Sequence, residues 1–136
     1  MKETLRQEQH PIYSLELARD ETTFESVDAI CGYLRACIEG HRSAVFIAEF
    51  DHLAHTRSLP EGQVGKEIRA AKNLVFCFGI TLPSASALAL RPRSIGVAET
   101  DRGFLITFLE TPMPVANALM EDWAASLCRQ PETASA

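Results

Sequence analysis

The chain has 136 residues, the usual size of a single domain, and its 46% hydrophobic and 23% charged content is typical of a globular protein rather than a disordered one. The net charge of −5 comes from 18 acidic against 13 basic residues, and the basic ones are scattered, so we predict no nucleic-acid partner. The first residues lack the apolar run of a secretory signal, and no stretch approaches the ~20 apolar residues that span a bilayer, so we predict a cytoplasmic protein with no membrane partner.

The chain divides into a body and two polar ends. We expect residues 1–10 to form a frayed N-terminus, residues 11–129 to form a single domain, and residues 130–136 to form a disordered tail. Four cysteines form no C-x-x-C pair and fall in apolar segments, so we expect buried thiols at Cys31, Cys37, Cys77 and Cys128.

The first half of the domain predicts a strand, a long helix and a second strand. Residues 12–19 (IYSLELAR) alternate apolar and polar side chains, the period of a strand with one wet face. Thr22 and Glu25 have the spacing of a capping box, and apolar residues then recur every three or four positions as far as Gly40, which predicts an amphipathic helix. Residues 43–50 (SAVFIAEF) predict a second strand, parallel to the first through the helix crossover.

The second half predicts shorter elements around a central strand. Residues 52–71 indicate a short helical turn followed by a loop, and residues 73–80 (NLVFCFGI) are apolar on both faces, as in a central strand. One or two helical turns are expected between Pro83 and Pro92.

The last part of the domain predicts a hairpin and a closing helix. Residues 93–100 (RSIGVAET) and 103–111 (GFLITFLET) flank a tight turn that contains glycine, and residues 115–128 carry apolar side chains at helical spacing. The order of elements predicts an α+β fold, a two-layer sandwich with an approximately five-stranded mixed sheet and two main helices packed on one face. If residues 93–100 form an uncovered edge strand, they could pair with another subunit, so a homodimer is one expectation.

Four stretches of the chain are VFIAEFDHLA (45–54), LVFCFG (74–79), ALRPRSIGVAETDRG (89–103) and FLITFLETP (104–112). They resemble the bacterial family catalogued as domain of unknown function 302, whose members are small α+β proteins. The matching positions are Asp51, His52, Phe78, Gly79, Glu99, Asp101 and Gly103. Ile80 and Thr81 stand where that family has Asn-Pro. The resemblance implies the fold, and it implies no activity, because that family's activity is not established.

The stretch EFDHLAHTR (49–57) is the first candidate site, because Asp51, His52 and His55 come together at the end of a strand. On a helix, His52 and His55 would be neighbours and could bind one transition-metal ion, with Asp51, Glu49 or Glu61 as a further ligand. Alternatively, Asp51 or Glu49 could fix the tautomer of His52 for general acid–base work. The simpler interpretation makes Asp51 the N-cap of a short helix and both histidines ordinary residues of its first turn.

The turn after the central strand is the second candidate site. Ser84 and Ser86 stand at a predicted helix start, where backbone N–H groups can hold an anion, although the lysine and glycines of a phosphate loop are missing. Arg91 and Arg93 bracket Pro92 and could clamp a carboxylate or a phosphate, or they could be solvated arginines at a strand entry. Cys77 could pair with a histidine, but its place between two phenylalanines is more typical of a core residue.

Three classes of function remain open from these residues. The first is a small-molecule-binding or accessory domain that uses Asp51, His52, His55, Ser84 and Arg91. The second is an enzyme centred on Asp51, His52 and His55 that depends on a metal or on histidine. The third is a structural or dimeric module with no pocket.

Overall fold

The computed structural model describes residues 1–7 and 9–129 and shows, within them, five strands, three α-helices and two 3-10 segments. The elements are β1 (Ile12–Leu17), α1 (Val27–Glu39), β2 (Ala44–Asp51), α2 (His52–Ser58), β3 (Ile68–Phe78), β4 (Arg93–Thr100), β5 (Gly103–Leu109) and α3 (Pro114–Ala125), with 3-10 segments at Arg19–Glu21 and Ala85–Leu90. The α+β class is confirmed. The predicted tail at 130–136 lies outside the described residues.

The five strands form one sheet in the order β1-β5-β4-β3-β2, and every neighbouring pair is antiparallel. The prediction of a mixed sheet is therefore wrong. β1 and β2 do run in the same direction, because four antiparallel steps separate them, but they are the two edges of the sheet and do not pair. The expectation that residues 93–100 form an open edge is also wrong, since β4 lies between β3 and β5.

The core forms where the apolar stripe of α1 meets alternate residues of the strands. The buried residues of α1 are Val27, Ile30, Cys31, Leu34 and Ile38. They belong to one cluster with Leu74 and Phe76 of β3, Ile95 and Val97 of β4, Phe104 and Ile106 of β5, and Met120 and Trp123 of α3. The final helix therefore contributes to the core through Met120 and Trp123.

Two predicted boundaries are corrected by longer-range contacts. Helix α1 is capped by Ser26, which accepts a hydrogen bond from the backbone N–H of Ala29, whereas the predicted cap Thr22 is buried and donates to the carbonyl of Leu127 at 2.7 Å. β3 begins at Ile68 rather than at residue 73, so the predicted loop is shorter. Within the part of the chain that the structure describes, no helix combines the length and the hydropathy needed to cross a membrane.

Candidate functional site

The predicted histidine cluster lies at the junction of β2 and α2. The carboxylate of Asp51 accepts a hydrogen bond from the backbone N–H of Ala54 at 2.9 Å, so Asp51 is the N-cap of α2. The imidazoles of His52 and His55 each lie 5.3 Å from the ring centroid of Phe50, and 6.3 Å from one another. Helix capping and ring packing thus account for all three side chains.

The histidine pair has no set of further ligands for a metal ion. Among residues 1–7 and 9–129, no group of three or more His, Cys, Asp or Glu side chains is placed to hold one. A zinc ion takes three protein ligands in an open site and four in a closed one. The donor set around His52 and His55 therefore does not fit such a centre.

The hydrogen-bond partner of His52 differs from the predicted carboxylates. Nδ1 of His52 lies 3.1 Å from Oδ1 of Asn73, and Nδ2 of Asn73 lies 3.1 Å from the hydroxyl of Ser94. Glu49 instead accepts a hydrogen bond from Lys72. A neutral amide can orient an imidazole, but it does not supply the negative charge that would stabilise an imidazolium during proton transfer.

In the second predicted region, Arg91 holds the segment that follows β3. Its Nη1 donates to the carbonyl of Thr81 at 2.6 Å, and its side chain passes over Gly79, whose φ of +103° suits glycine. The hydroxyl of Ser84 lies 3.2 Å from that of Ser86 and makes no capping hydrogen bond to the Ala85–Leu90 segment. Ser84 therefore shows no arrangement for holding an anion, whereas Arg91 is fixed in place.

Arg91 borders an apolar cavity of about 160 Å³, formed where the segment after β3 meets the start of α3. The cavity is lined by Phe78, Pro83, Ala87, Leu90, Arg91, Arg93, Thr111, Pro112, Met113, Ala116 and Met120. Nine of these eleven residues carry no charge and most are apolar. Neither His52 nor His55 is among them, so the two predicted regions do not line this cavity together.

Arg93 is the unusual residue of this cavity, because it is a buried cation that forms no ion pair within residues 1–7 and 9–129. Only 9% of its surface is exposed. Its Nη1 donates to the carbonyl of Leu90 at 3.0 Å and its Nη2 donates to the carbonyl of Leu109, while its Nε finds no hydrogen-bond partner among the described residues. Burial lowers the pKa of the guanidinium. An arginine in such surroundings remains charged, so the cavity wall carries a positive charge.

One sequence signal could have identified the cavity. Successive side chains of a strand point to opposite faces of the sheet, so Arg93 shares a face with Ile95 and Val97, which are buried. The pattern of β4 therefore places a charged residue on the apolar face of the strand. The lining residues come from two segments, from Phe78 to Arg93 and from Thr111 to Met120, which are separated in the chain by most of β4 and all of β5. Their meeting depends on the sheet topology, which the sequence pattern did not predict correctly.

The chain was compared with family models, with curated proteins and with solved structures. A search of curated proteins and a search of solved structures each found no match. A family model matches residues 1–129, and the family is not domain of unknown function 302, although it too is uncharacterised. Asp suits a helix cap and Gly suits a turn in many unrelated folds, so short strand endings such as Asp-His and Phe-Gly do not identify a family. The chain belongs to the family of unknown function DUF6858.

Proposed function

We propose that this protein binds a small organic acid that has a compact apolar body. The acid group contacts Arg93, and the apolar body fills the cavity between the segment after β3 and the start of α3. The observation that carries the proposal is the guanidinium of Arg93, which is buried in the cavity wall and makes no ion pair with any of the described residues.

The charge and shape of the cavity favour an acid over other ligands. A buried charge without a counter-ion is costly, and a carboxylate can pair with a guanidinium through two parallel hydrogen bonds. Arg93 already bonds two backbone carbonyls through its terminal nitrogens, so the carboxylate approaches its remaining N–H groups. Arg91 adds a second positive charge to the wall.

The size of the cavity limits the apolar body. Its volume of about 160 Å³ is close to that of an engineered apolar cavity of about 150 Å³ that binds benzene. A six-membered ring with one carboxylate therefore matches the space, and a long acyl chain does not. This contrast makes ring acids the first compounds to test.

The proposal includes the two-layer arrangement predicted from the sequence. The apolar residues of α1 and α3 share one cluster with Leu74 and Phe76, whereas Val45 and Ile47 on β2 are 65% and 52% exposed. In this arrangement α1 and α3 cover one face of the sheet. The cavity then lies at the end of the covered face, beside the start of α3.

Fluorescence of Trp123 provides the assay. Trp123 is the only tryptophan of the sequence, it is buried, and its ring centroid lies 6.4 Å from that of Phe78, which lines the cavity. Titration with cyclohexanecarboxylate should change the emission and saturate. Cyclohexylmethanol, which has the same ring and no charge, should bind roughly 10-fold to 100-fold more weakly, because hydrogen bonds to charged groups contribute about 1.5–3 kcal/mol.

Two variants connect the binding to Arg93. Arg93→Met should abolish the preference for the acid over the alcohol, while Arg69→Met, which removes an exposed arginine of the adjacent strand β3, should leave it unchanged. Circular dichroism establishes that each variant is folded, and Arg93→Lys provides a milder change that keeps the charge. Equal affinity for acid and alcohol in the wild-type protein, or equal loss in both methionine variants, would refute the proposal.

A further inference from the structure

A row of small and polar side chains crosses the other face of the sheet. The register pairs Asn73 with Gly96, Gly96 with Thr107, and Thr107 with Ser14, so these residues lie side by side on four adjacent strands. Gly96 leaves a depression between the side chains of Asn73 and Thr107, which lie 3.6 and 3.4 Å from the position that a Cβ at Gly96 would take. The surface of the sheet is therefore depressed at Gly96, between the taller side chains of Asn73 and Thr107.

This depression is the floor of a trough with a volume of about 460 Å³, which is in the usual range for small-molecule sites, about 300–1,000 Å³. Apolar residues also line the trough: Leu90 and Pro92 from the segment that leads into β4, and Ile12 and Leu109 from the start of β1 and the end of β5. Ile12 and Leu109 are both exposed. The trough thus has a polar floor and apolar sides.

The polar groups of the floor are neutral, and they can both donate and accept hydrogen bonds. Asn73 bonds His52 and Ser94, which leaves one amide N–H and one oxygen lone pair for a ligand. Thr107 donates to the carbonyl of Tyr13 and lies 3.1 Å from the hydroxyl of Ser14. Apart from Arg93 at one end, no charged side chain lines the trough in the part of the chain that the structure describes.

We propose that this trough is a second binding site, for a neutral, hydroxyl-rich ring of the sugar class. A sugar hydroxyl can both donate and accept a hydrogen bond. The free N–H and the oxygen of the Asn73 amide offer both roles, and the Thr107 hydroxyl, which donates to Tyr13, can accept. The C–H faces of a sugar ring match the apolar sides. An anion would find no basic group on the floor, and a purely apolar ligand would leave the polar row without partners.

His52 has a positioning role in this site. It does not line the trough, but its hydrogen bond to Oδ1 orients the amide of Asn73 toward Ser94 and the floor. His52→Ala should therefore weaken sugar binding less than Asn73→Ala does. The positioning role also predicts that His52→Ala shifts the side-chain amide resonances of Asn73 in NMR spectra before any sugar is added.

The experiment uses saturation-transfer NMR with the methyl pyranosides of glucose, galactose and mannose at millimolar concentration. Gly96→Val fills the floor of the trough, and valine suits a strand, so the variant should fold while saturation transfer to the bound sugar falls at least fivefold. Ala98→Val is the matched control, because Ala98 lies on the same strand and the same sheet face but outside the trough lining.

The outcomes separate this site from the acid site. Gly96 does not line the cavity beside Arg93, so Gly96→Val should bind cyclohexanecarboxylate as the wild-type protein does. The sugar proposal fails if none of the three pyranosides shows transfer, or if Ala98→Val reduces transfer as much as Gly96→Val. It also fails if sedimentation shows that the wild-type chain is a dimer and that Gly96→Val is a monomer, because a second copy of the chain would then cover this face.

Discussion

Replacement of Ala116 by leucine tests whether the cavity beside Arg93 is a real void. Ala116 is 2% exposed, belongs to α3 and lines the cavity. The substitution adds three carbon atoms, half the number in a benzene ring, and a space of about 150 Å³ can hold that ring. The cavity of about 160 Å³ therefore has enough volume for the added carbon atoms.

The expected gain in stability follows from the apolar surface that the new side chain buries. Three buried carbon atoms contribute about 2.4 kcal/mol at about 0.8 kcal/mol each, and leucine in place of alanine in a helix costs a few tenths, about 0.2 kcal/mol. Because the fit is imperfect, we expect the free energy of unfolding to rise by about 1–2 kcal/mol. The same substitution should abolish the binding of cyclohexanecarboxylate, since the leucine occupies the place of the ring.

Urea denaturation, followed by far-ultraviolet circular dichroism, measures the free energy of unfolding. The two proteins can be compared directly if the variant has the same m-value as the wild-type protein. Ala124→Leu is the matched control, because Ala124 is a buried residue of the same helix that does not line the cavity. Its larger side chain should destabilise the protein by about 1–3 kcal/mol through overpacking. If Ala116→Leu destabilises the protein as Ala124→Leu does, the cavity is not a void and the acid site is refuted.

Three further predictions concern the surroundings of the two sites. Asp51→Ala should lower the free energy of unfolding by about 1 kcal/mol and Asp51→Asn by much less, because asparagine also caps the N–H of Ala54; equal losses would contradict the capping role. Lys72→Met should destabilise the protein by about 1 kcal/mol in low-salt urea titrations and by less in 1 M salt, since it removes two partly exposed ion pairs. Glu121→Gln should raise the melting temperature at pH 7 but not at pH 4. The hydrogen bond to Glu110 raises the pKa of Glu121, so the folded state loses stability as the pH rises through that pKa; an equal rise at both pH values would refute this cause.

Local sequence patterns predicted the elements that depend on local interactions. The apolar repeat of α1 and its end at Gly40 are both present in the structure, as is the hairpin of β4 and β5. Asp51 was correctly interpreted as a cap, because capping requires only a side-chain oxygen and a backbone N–H three residues later. These features need no knowledge of the rest of the fold.

The features that were predicted wrongly depend on pairing between distant strands. Residues 69–72 are alanines and basic residues, which have little strand preference, yet they belong to the start of β3 because β4 pairs along them and β2 reaches Lys72. The direction of the pairs was also mistaken. A strand, helix, strand sequence suggested parallel neighbours, whereas β3, β4 and β5 separate β1 from β2 in the sheet.

The two proposed sites meet at the start of β4, and this arrangement explains why a buried arginine is compatible with the fold. Leu90 and Arg93 line both the cavity and the trough. Arg93 bonds the carbonyls of Leu90 and Leu109 and so joins the 3-10 segment to the end of β5. An apolar residue at this position would leave both carbonyls without that donor, at a cost of about 1–3 kcal/mol each if they stayed buried. Arg93 therefore supports the walls of both sites, and the N–H groups of its terminal nitrogens that bond no carbonyl are left for a ligand. Structural support occupies two of the five N–H donors of this arginine, and the acid site gives a role to donors that bond no backbone carbonyl.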